Sequence, residues 1–243
     1  MHVLLTRPAG RNQPMQDALK EKKIAYSVQP LMHIEPLAVD ESVQRKLSQA
    51  DIVIFISVNA VNCITATNNI KLADSASIVA IGSATQIALS ELGINSITSE
   101  QSQQHSEGIL SLDILQQVKD KKVVIVRGEG GREKLAEELI LRGANVDYCH
   151  AYRRKKPANL SDDLGEHWQQ VGVDIILISS GEILENLLQV VKRADFPWLE
   201  SCMLIVPSAR VALLARKAGL KNIVNAASAR KDAMLAAILS TNK

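Results

Sequence analysis

The chain repeats itself. His2-Val3-Leu4-Leu5-Thr6-Arg7 returns as Lys122-Val123-Val124-Ile125-Val126-Arg127, and each copy continues into a Gly-Arg pair, Gly10-Arg11 and Gly131-Arg132. Asp51-Ile52-Val53-Ile54-Phe55-Ile56-Ser57 returns as Asp174-Ile175-Ile176-Leu177-Ile178-Ser179-Ser180. Ile81-Gly82-Ser83-Ala84 matches Val206-Pro207-Ser208-Ala209, and Gly93 matches Gly219. Matched positions stay roughly 120 to 126 residues apart, so one half of the chain is a structural copy of the other. A length of 243 residues suits one large domain or two smaller ones, and the repeat selects two. Two similar domains facing each other would form a cleft, where ligands usually bind.

Short β-branched apolar runs alternate with amphipathic stretches, the pattern of parallel sheets covered on both faces by helices. Strands are predicted at 2–6, 25–30, 51–57, 78–82, 95–98, 122–127, 145–152, 174–180, 202–207 and 222–226. Ten strands in two sets of five predict an α/β protein with two sheets. A helix is predicted from Glu133 to Arg142, with Leu135, Leu139 and Ile140 on one face and Gly143 ending it. The units run in the order A (1–35), B (51–118), A′ (121–156), B′ (174–240). The patterns leave two pairings open: tandem domains, or residues 1–35 joining 157–243 around an inserted domain of 36–156. Pro36 and Pro157 each close an extended segment, which is consistent with insertion and a paired-strand hinge.

Composition narrows the function. Formal net charge is only +2, so no global field points to nucleic acid or a membrane surface. With 2 Trp, 3 Tyr and 2 Phe, a base-stacking surface is disfavoured. The run Arg153-Arg154-Lys155-Lys156 reads equally well as a solvated strand end. Chain entry is directly in a strand pattern, without a basic region and apolar core, and no apolar run reaches the roughly 18 residues of a membrane span. A cytoplasmic protein is expected. Cys63, Cys149 and Cys202 lack metal or redox spacing and read as small buried hydrophobes. The five histidines form no HExxH pattern or other metal spacing, so no metal site is expected.

The best-defined local feature is Arg127-Gly128-Glu129-Gly130-Gly131-Arg132-Glu133, at a strand end opening a helix. Amides at such a turn attract anions, aided by the helix dipole. Glu133 occupies the place of the third glycine of a dinucleotide fingerprint, and no Gly-Lys-Ser/Thr follows, so nucleotide motifs are excluded. Similar loops occur at Ser57-Val58-Asn59-Ala60, Ser83-Ala84-Thr85, Ser180-Gly181-Glu182 and Ser208-Ala209-Arg210. Each taken alone is an N-cap. Together they line the carboxyl edges of two sheets, where open α/β folds bind ligands, and would suit a ligand with several carboxylates or phosphates. Tyr152, beside Arg153 at the end of unit A′, reads either as a packing aromatic or as a proton donor.

These residues resemble the uroporphyrinogen-III synthase family. The resemblance is carried by Leu5-Thr6-Arg7-Pro8, Phe55-Ile56-Ser57 with Asn59-Ala60-Val61, and Ala80-Ile81-Gly82 with Thr85. It continues through Ser106-Glu107-Gly108-Ile109, Arg127-Gly128 to Gly131-Arg132-Glu133, Gly143-Ala144 and Tyr152-Arg153. It implies two flavodoxin-like domains, one inserted in the other and joined by a two-strand linker. It also implies closure of linear hydroxymethylbilane, a tetrapyrrole octacarboxylate, to uroporphyrinogen III, with inversion of ring D and loss of water. No cofactor or metal is implied, and a monomer is expected. The candidate catalytic residue is Tyr152. Candidate substrate contacts are Arg7, Ser57, Asn59, Ala60, Ser83, Thr85, Arg127, Gly128, Gly131, Arg132, Ser180, Gly181, Ser208 and Ala209. The loop at Val206-Pro207-Ser208-Ala209 departs from the family pattern in lacking a glycine before the proline. Two other functions compete: a non-catalytic two-lobe binder of a small polyanion, and a nucleotide-sugar transferase, the latter without an acidic metal motif.

Overall fold

A computed structural model describes residues 1–67, 70–99, 106–131 and 133–241. Its strands are β1 (His2–Leu5), β2 (Ala25–Val28), β3 (His33–Pro36), β4 (Ile52–Phe55), β5 (Ser77–Ala80), β6 (Lys122–Gly128), β7 (Asn145–Lys155), β8 (Ile175–Leu177), β9 (Met203–Val206) and β10 (Ile223–Asn225). The helices are α1 (Gln13–Glu21), α2 (Glu41–Ser48), α3 (Val58–Thr67), α4 (Ser83–Ser90), α5 (Ser106–Ile109), α6 (Asp113–Gln116), α7 (Lys134–Leu141), α8 (Leu164–Gln170), α9 (Gly181–Val190), α10 (Phe196–Ser201), α11 (Ala209–Lys217) and α12 (Lys231–Ser240). None of the described helices is long and apolar enough to cross a membrane.

The chain divides into two units, Met1–His33 with Lys155–Lys243, and Ile34–Arg154. The divisions fall just before the expected ones at Pro36 and Pro157. They lie on β3 and on β7, which are neighbours in one sheet.

In the first unit the sheet order is β10-β9-β8-β1-β2, and the paired strands are all parallel. β1 lies between β2 and β8, with Val3 opposite both Tyr26 and Ile175. Counting strands in the order this unit uses them gives 2-1-3-4-5, the flavodoxin-like order with a switch point between β1 and β8. Alternate residues bury on opposite faces. Val3, Leu5, Ile175, Leu177 and Ile205 pack with Leu19 of α1 and Met234 and Ile238 of α12. Leu4, Ile176 and Leu204 are equally buried on the other side. Burial of both faces is why these strands read as unbroken apolar runs.

The second unit repeats this plan in the order β3-β7-β6-β4-β5. β6 and β7 take the places of β1 and β2, and β4 and β5 those of β8 and β9. Val53, Phe55, Val124 and Val126 pack with Val61 and Ile64 of α3 and Leu89 of α4. Ile52, Ile54, Val123 and Ile125 pack with Leu135 and Leu139 of α7. The predicted strand at 95–98 is a single bridge, Ile97 to Val79. The fifth strand is β3, next to β7, which the sequence reading missed. Its two end residues are exposed and the two between them half-buried, without an apolar run.

Helix α7 also corrects an expectation. Leu135, Ala136 and Leu139 are buried, whereas Ile140 is 56% exposed. At about 100° per residue, Ile140 lies a quarter-turn beyond Leu139, out of the buried arc. Gly143 ends the helix with φ +86°, a left-handed conformation that suits glycine.

Candidate active site

In each unit the strand-end loops gather at the carboxyl ends of the parallel strands. Arg7 follows β1, Ser180 and Gly181 follow β8, and Ser208 and Ala209 follow β9, all in the first unit. Ser57, Asn59 and Ala60 follow β4, Ser83 and Thr85 follow β5, and Arg127 and Gly128 end β6, all in the second. The switch point of the second sheet lies between β6 and β4.

Tyr152 comes to that switch point through a break in strand register. Arg127 pairs with His150, but the next residue of β6, Gly128, pairs with Tyr152. Ala151 is therefore the extra residue of a β-bulge. In an unbroken strand Tyr152 would share the face of Tyr148 and His150, which stack with ring centroids 5.8 Å apart. The bulge turns it instead into the opposite cluster, with Phe55, Val126, Cys149 and Ala151. Tyr152 is only 3% exposed, and its hydroxyl lies 3.4 Å from the Ser57 hydroxyl. Its ring lies against Gly128, where an added Cβ would come within 2.5 Å of Cε2. Ser57 Oγ also accepts the Ala60 amide at 3.2 Å, while the Ala60 methyl belongs to the core.

On the other face of the same strands, Arg127 is buried at 4% exposure. Its Nη1 pairs with Glu133 Oε1 at 3.2 Å, its Nη2 donates to the Gly130 carbonyl, and its guanidinium lies 4.9 Å from the Tyr148 ring centroid. The Tyr148 hydroxyl donates to Glu133 Oε2. That bond, ahead of the Arg127 charge, holds the Glu133 carboxyl below its usual range, and burial together with Glu133 pushes the Tyr148 phenol up. Arg127 therefore acts on the loop that it braces, with Gly131 against its guanidinium and Gly128 against the Tyr152 ring. Arg132 lies outside the described residues.

In the first unit Ser180 and Ser208 are the N-caps expected, accepting the amides of Ile183 at 3.2 Å and Val211 at 3.4 Å. At α4 the N-cap is Gly82, with φ +84°, in place of Ser83. Thr85 is buried at 2% exposure, with its amide bonded to the Gly82 carbonyl. Gly181 lies beside α11, where a Cβ would meet Leu214 Cδ1 at 3.3 Å and Arg210 Nη1 at 3.4 Å. Arg7 donates to the Ala229 carbonyl, and burial pulls its pKa down from the usual guanidinium value. Arg210 in the first turn of α11 and Arg230 at the N-cap of α12 put cations where the helix dipole disfavours them. The sequence reading placed Arg210 in one of its anion-binding loops but gave Arg230 no role, although that dipole conflict was visible once the helix starts were located. Among the described residues no cluster of three metal-ligating side chains occurs.

The family model "Uroporphyrinogen-III synthase HemD" matches residues 13–236. The chain belongs to the uroporphyrinogen-III synthase family. It is 31% identical to the uroporphyrinogen-III synthase of Salmonella typhimurium strain LT2, over 98% of this chain and 100% of that one. The Escherichia coli K12 enzyme is 36% identical over 160 residues, 65% of each chain. The fold matches that of uroporphyrinogen-III synthetase from Helicobacter pylori 26695 with TM-score 0.66 at 16% identity, covering 99% of this chain and 98% of that one. A mutant uroporphyrinogen III synthase from Thermus thermophilus gives 0.59 at 18% identity, covering 100% and 98%. The family match spans both units and every candidate residue except Arg7. Sequence reasoning missed the partners that place Tyr152 and Arg127, namely the Ala151 bulge, Glu133 and Tyr148. Glu133 stood in the Arg127 motif without its pairing being evident, and the signal for the bulge is a strand longer than its neighbours.

Proposed function

We propose that this chain is a uroporphyrinogen-III synthase, closing hydroxymethylbilane to uroporphyrinogen III with inversion of ring D and loss of water. The observation that carries the mechanism is Tyr152, with its hydroxyl 3.4 Å from Ser57 at the switch point of the second sheet. The first chemical step needs a proton for the departing hydroxyl. A pyrrole nitrogen lone pair expels that group, and the Tyr152 proton leaves with it as water. The substituted carbon of ring D attacks the resulting electrophilic methylene and gives a spiro intermediate. The bond from that carbon to its original methylene bridge then breaks, the freed methylene bonds to the other α-carbon of ring D, and the proton lost from that carbon on rearomatisation restores the phenol. Ser57 orients the phenol and can relay its proton, since a hydroxyl both donates and accepts.

The substrate's eight carboxylates set the second task, which is orientation. Amides at the starts of α3, α4, α7, α9 and α11, with Arg7, Arg210 and Arg230, supply donors and positive charge at the carboxyl edge of each unit's own sheet. Holding the carboxylates fixes which carbon of ring D meets the electrophile, a gain by positioning that needs no strong acid or base. Arg127 and Glu133 neutralise one another, so the loop of Gly128 and Gly131 is left to act through its backbone.

The same reading includes a cytoplasmic monomer. Three buried free thiols suit a reducing compartment, and gel filtration with light scattering tests the oligomeric state.

Incubation of the purified protein with hydroxymethylbilane, followed by chromatographic separation of isomers, tests the activity. The type III isomer should dominate, and type I alone at the uncatalysed rate would refute the reading. Tyr152→Phe should slow type III closure by roughly ten- to a thousandfold, about 1.4–4 kcal/mol of barrier, while type I accumulates. A wild-type rate and isomer ratio in this variant would remove the proton-donor role.

A further inference from the structure

We infer that Arg127, Glu133 and Tyr148 form a clamp that fixes the turn at 128–131 and, through Gly128, positions the hydroxyl of Tyr152. The inference rests on the proposed role of Tyr152 as proton donor. The three residues lie on the α7 face of the sheet, whereas the Tyr152 ring lies on the other face. What crosses the sheet is the backbone of the turn. Arg127 Nη2 reaches the Gly130 carbonyl, and Gly130 and Gly131 have φ of +70° and +103°. A Cβ on Gly131 would come within 2.6 Å of that same Nη2, so the turn is wrapped closely around the guanidinium. At the other end of the turn, Gly128 abuts the Tyr152 ring, and the Glu129 amide donates to the Tyr152 carbonyl at 2.8 Å.

Glu133 is the piece that makes this a clamp. It stands at the N-cap of α7 but makes no capping bond there. One carboxylate oxygen goes to Arg127 and the other to Tyr148. The Tyr148 ring in turn packs against the guanidinium. Arg127 is thus held at its charge and over its face, and cannot swing without releasing Gly130. Tyr148, Glu133 and Arg127 act as positioning residues and touch no reacting atom in this scheme.

Tyr148→Phe keeps the ring over Arg127 and removes one of the two bonds that hold the Glu133 carboxylate inward. Hydrogen exchange of the 128–133 amides should speed up by about tenfold, with the melting temperature little changed. The kcat for type III closure should fall by about tenfold with KM nearly constant. In a Tyr152→Phe background the same substitution should cost nothing further, because the hydroxyl being positioned is absent. Glu133→Gln provides a second variant, which keeps an acceptor but weakens the hold on Arg127, and should follow the same pattern more mildly. Equal losses in both backgrounds, or unchanged exchange at 128–133, would overturn the clamp. A neutral Tyr152→Phe single variant would instead remove the proton donor itself, and with it the catalytic purpose of the clamp.

Discussion

Gly128→Ala tests the placement of Tyr152 without touching its hydroxyl. The added methyl would lie 2.5 Å from Cε2, 2.6 Å from Cζ and 3.0 Å from Cδ2 of that ring. Carbon atoms rest at about 3.5–4.0 Å, so ring and strand must separate by about 1 Å. The ring cannot retreat cheaply, because it is 3% exposed among Phe55, Val126, Cys149 and Ala151. Overpacking of this kind costs about 1–3 kcal/mol. Urea unfolding followed by circular dichroism should show that loss. A double-mutant cycle makes the cause specific. Tyr152→Phe retains every clashing atom and should leave the cost of Gly128→Ala unchanged. Tyr152→Ala removes those atoms and should reduce the cost by at least about 1 kcal/mol. The displaced hydroxyl also loses its place near Ser57, so type III closure by Gly128→Ala should fall toward the Tyr152→Phe level. An equal cost in all three backgrounds, to within about 0.5 kcal/mol, would refute the packing argument.

Other outcomes follow from single contacts. Asn186, buried at 8% exposure, donates to the Leu31 carbonyl at 2.7 Å, so Asn186→Leu should cost about 1–3 kcal/mol in urea unfolding by stranding that acceptor. The Asp51 carboxyl is held below its usual range chiefly by the Lys122 amide at 2.8 Å. A depressed folded pKa contributes stability above the unfolded value that is lost as pH falls through the folded one. The melting-temperature gap between wild type and Asp51→Asn should therefore be present at neutral pH and close below about pH 4. Burial pushes the Cys149 and Cys202 thiols up to about 12. Iodoacetamide at about pH 8 should label them only after unfolding, and rapid labelling of native protein would contradict their burial.

How much of this was legible in the sequence depends on the range of the forces involved. β1, β4, β6, β8 and β9 could be found because a strand buried on both faces must be apolar throughout. The strand-end loops could be found because parallel strands must be followed by crossovers, and Ser180 and Ser208 carry the local chemistry of helix caps. The repeat likewise fixed that there would be two similar sheets. None of these patterns says which strand pairs with which, since β8 and β4 are nearly alike and either could dock on β1. Only tertiary packing chose Val3 opposite Ile175, and with it the inserted arrangement. β3 escaped notice because an edge strand with one neighbour, β7, needs no apolar run. Tyr152 was found as a residue but not as a geometry. Strict alternation places it with Tyr148, and a bulge exists only in the register between two strands. Arg127 was visible as a charge beside a glycine turn. The partners that absorb that charge, Glu133 and Tyr148, come together only when α7 covers one face of the sheet and β7 pairs along β6, because local sequence sets which groups are available and the fold sets which of them meet.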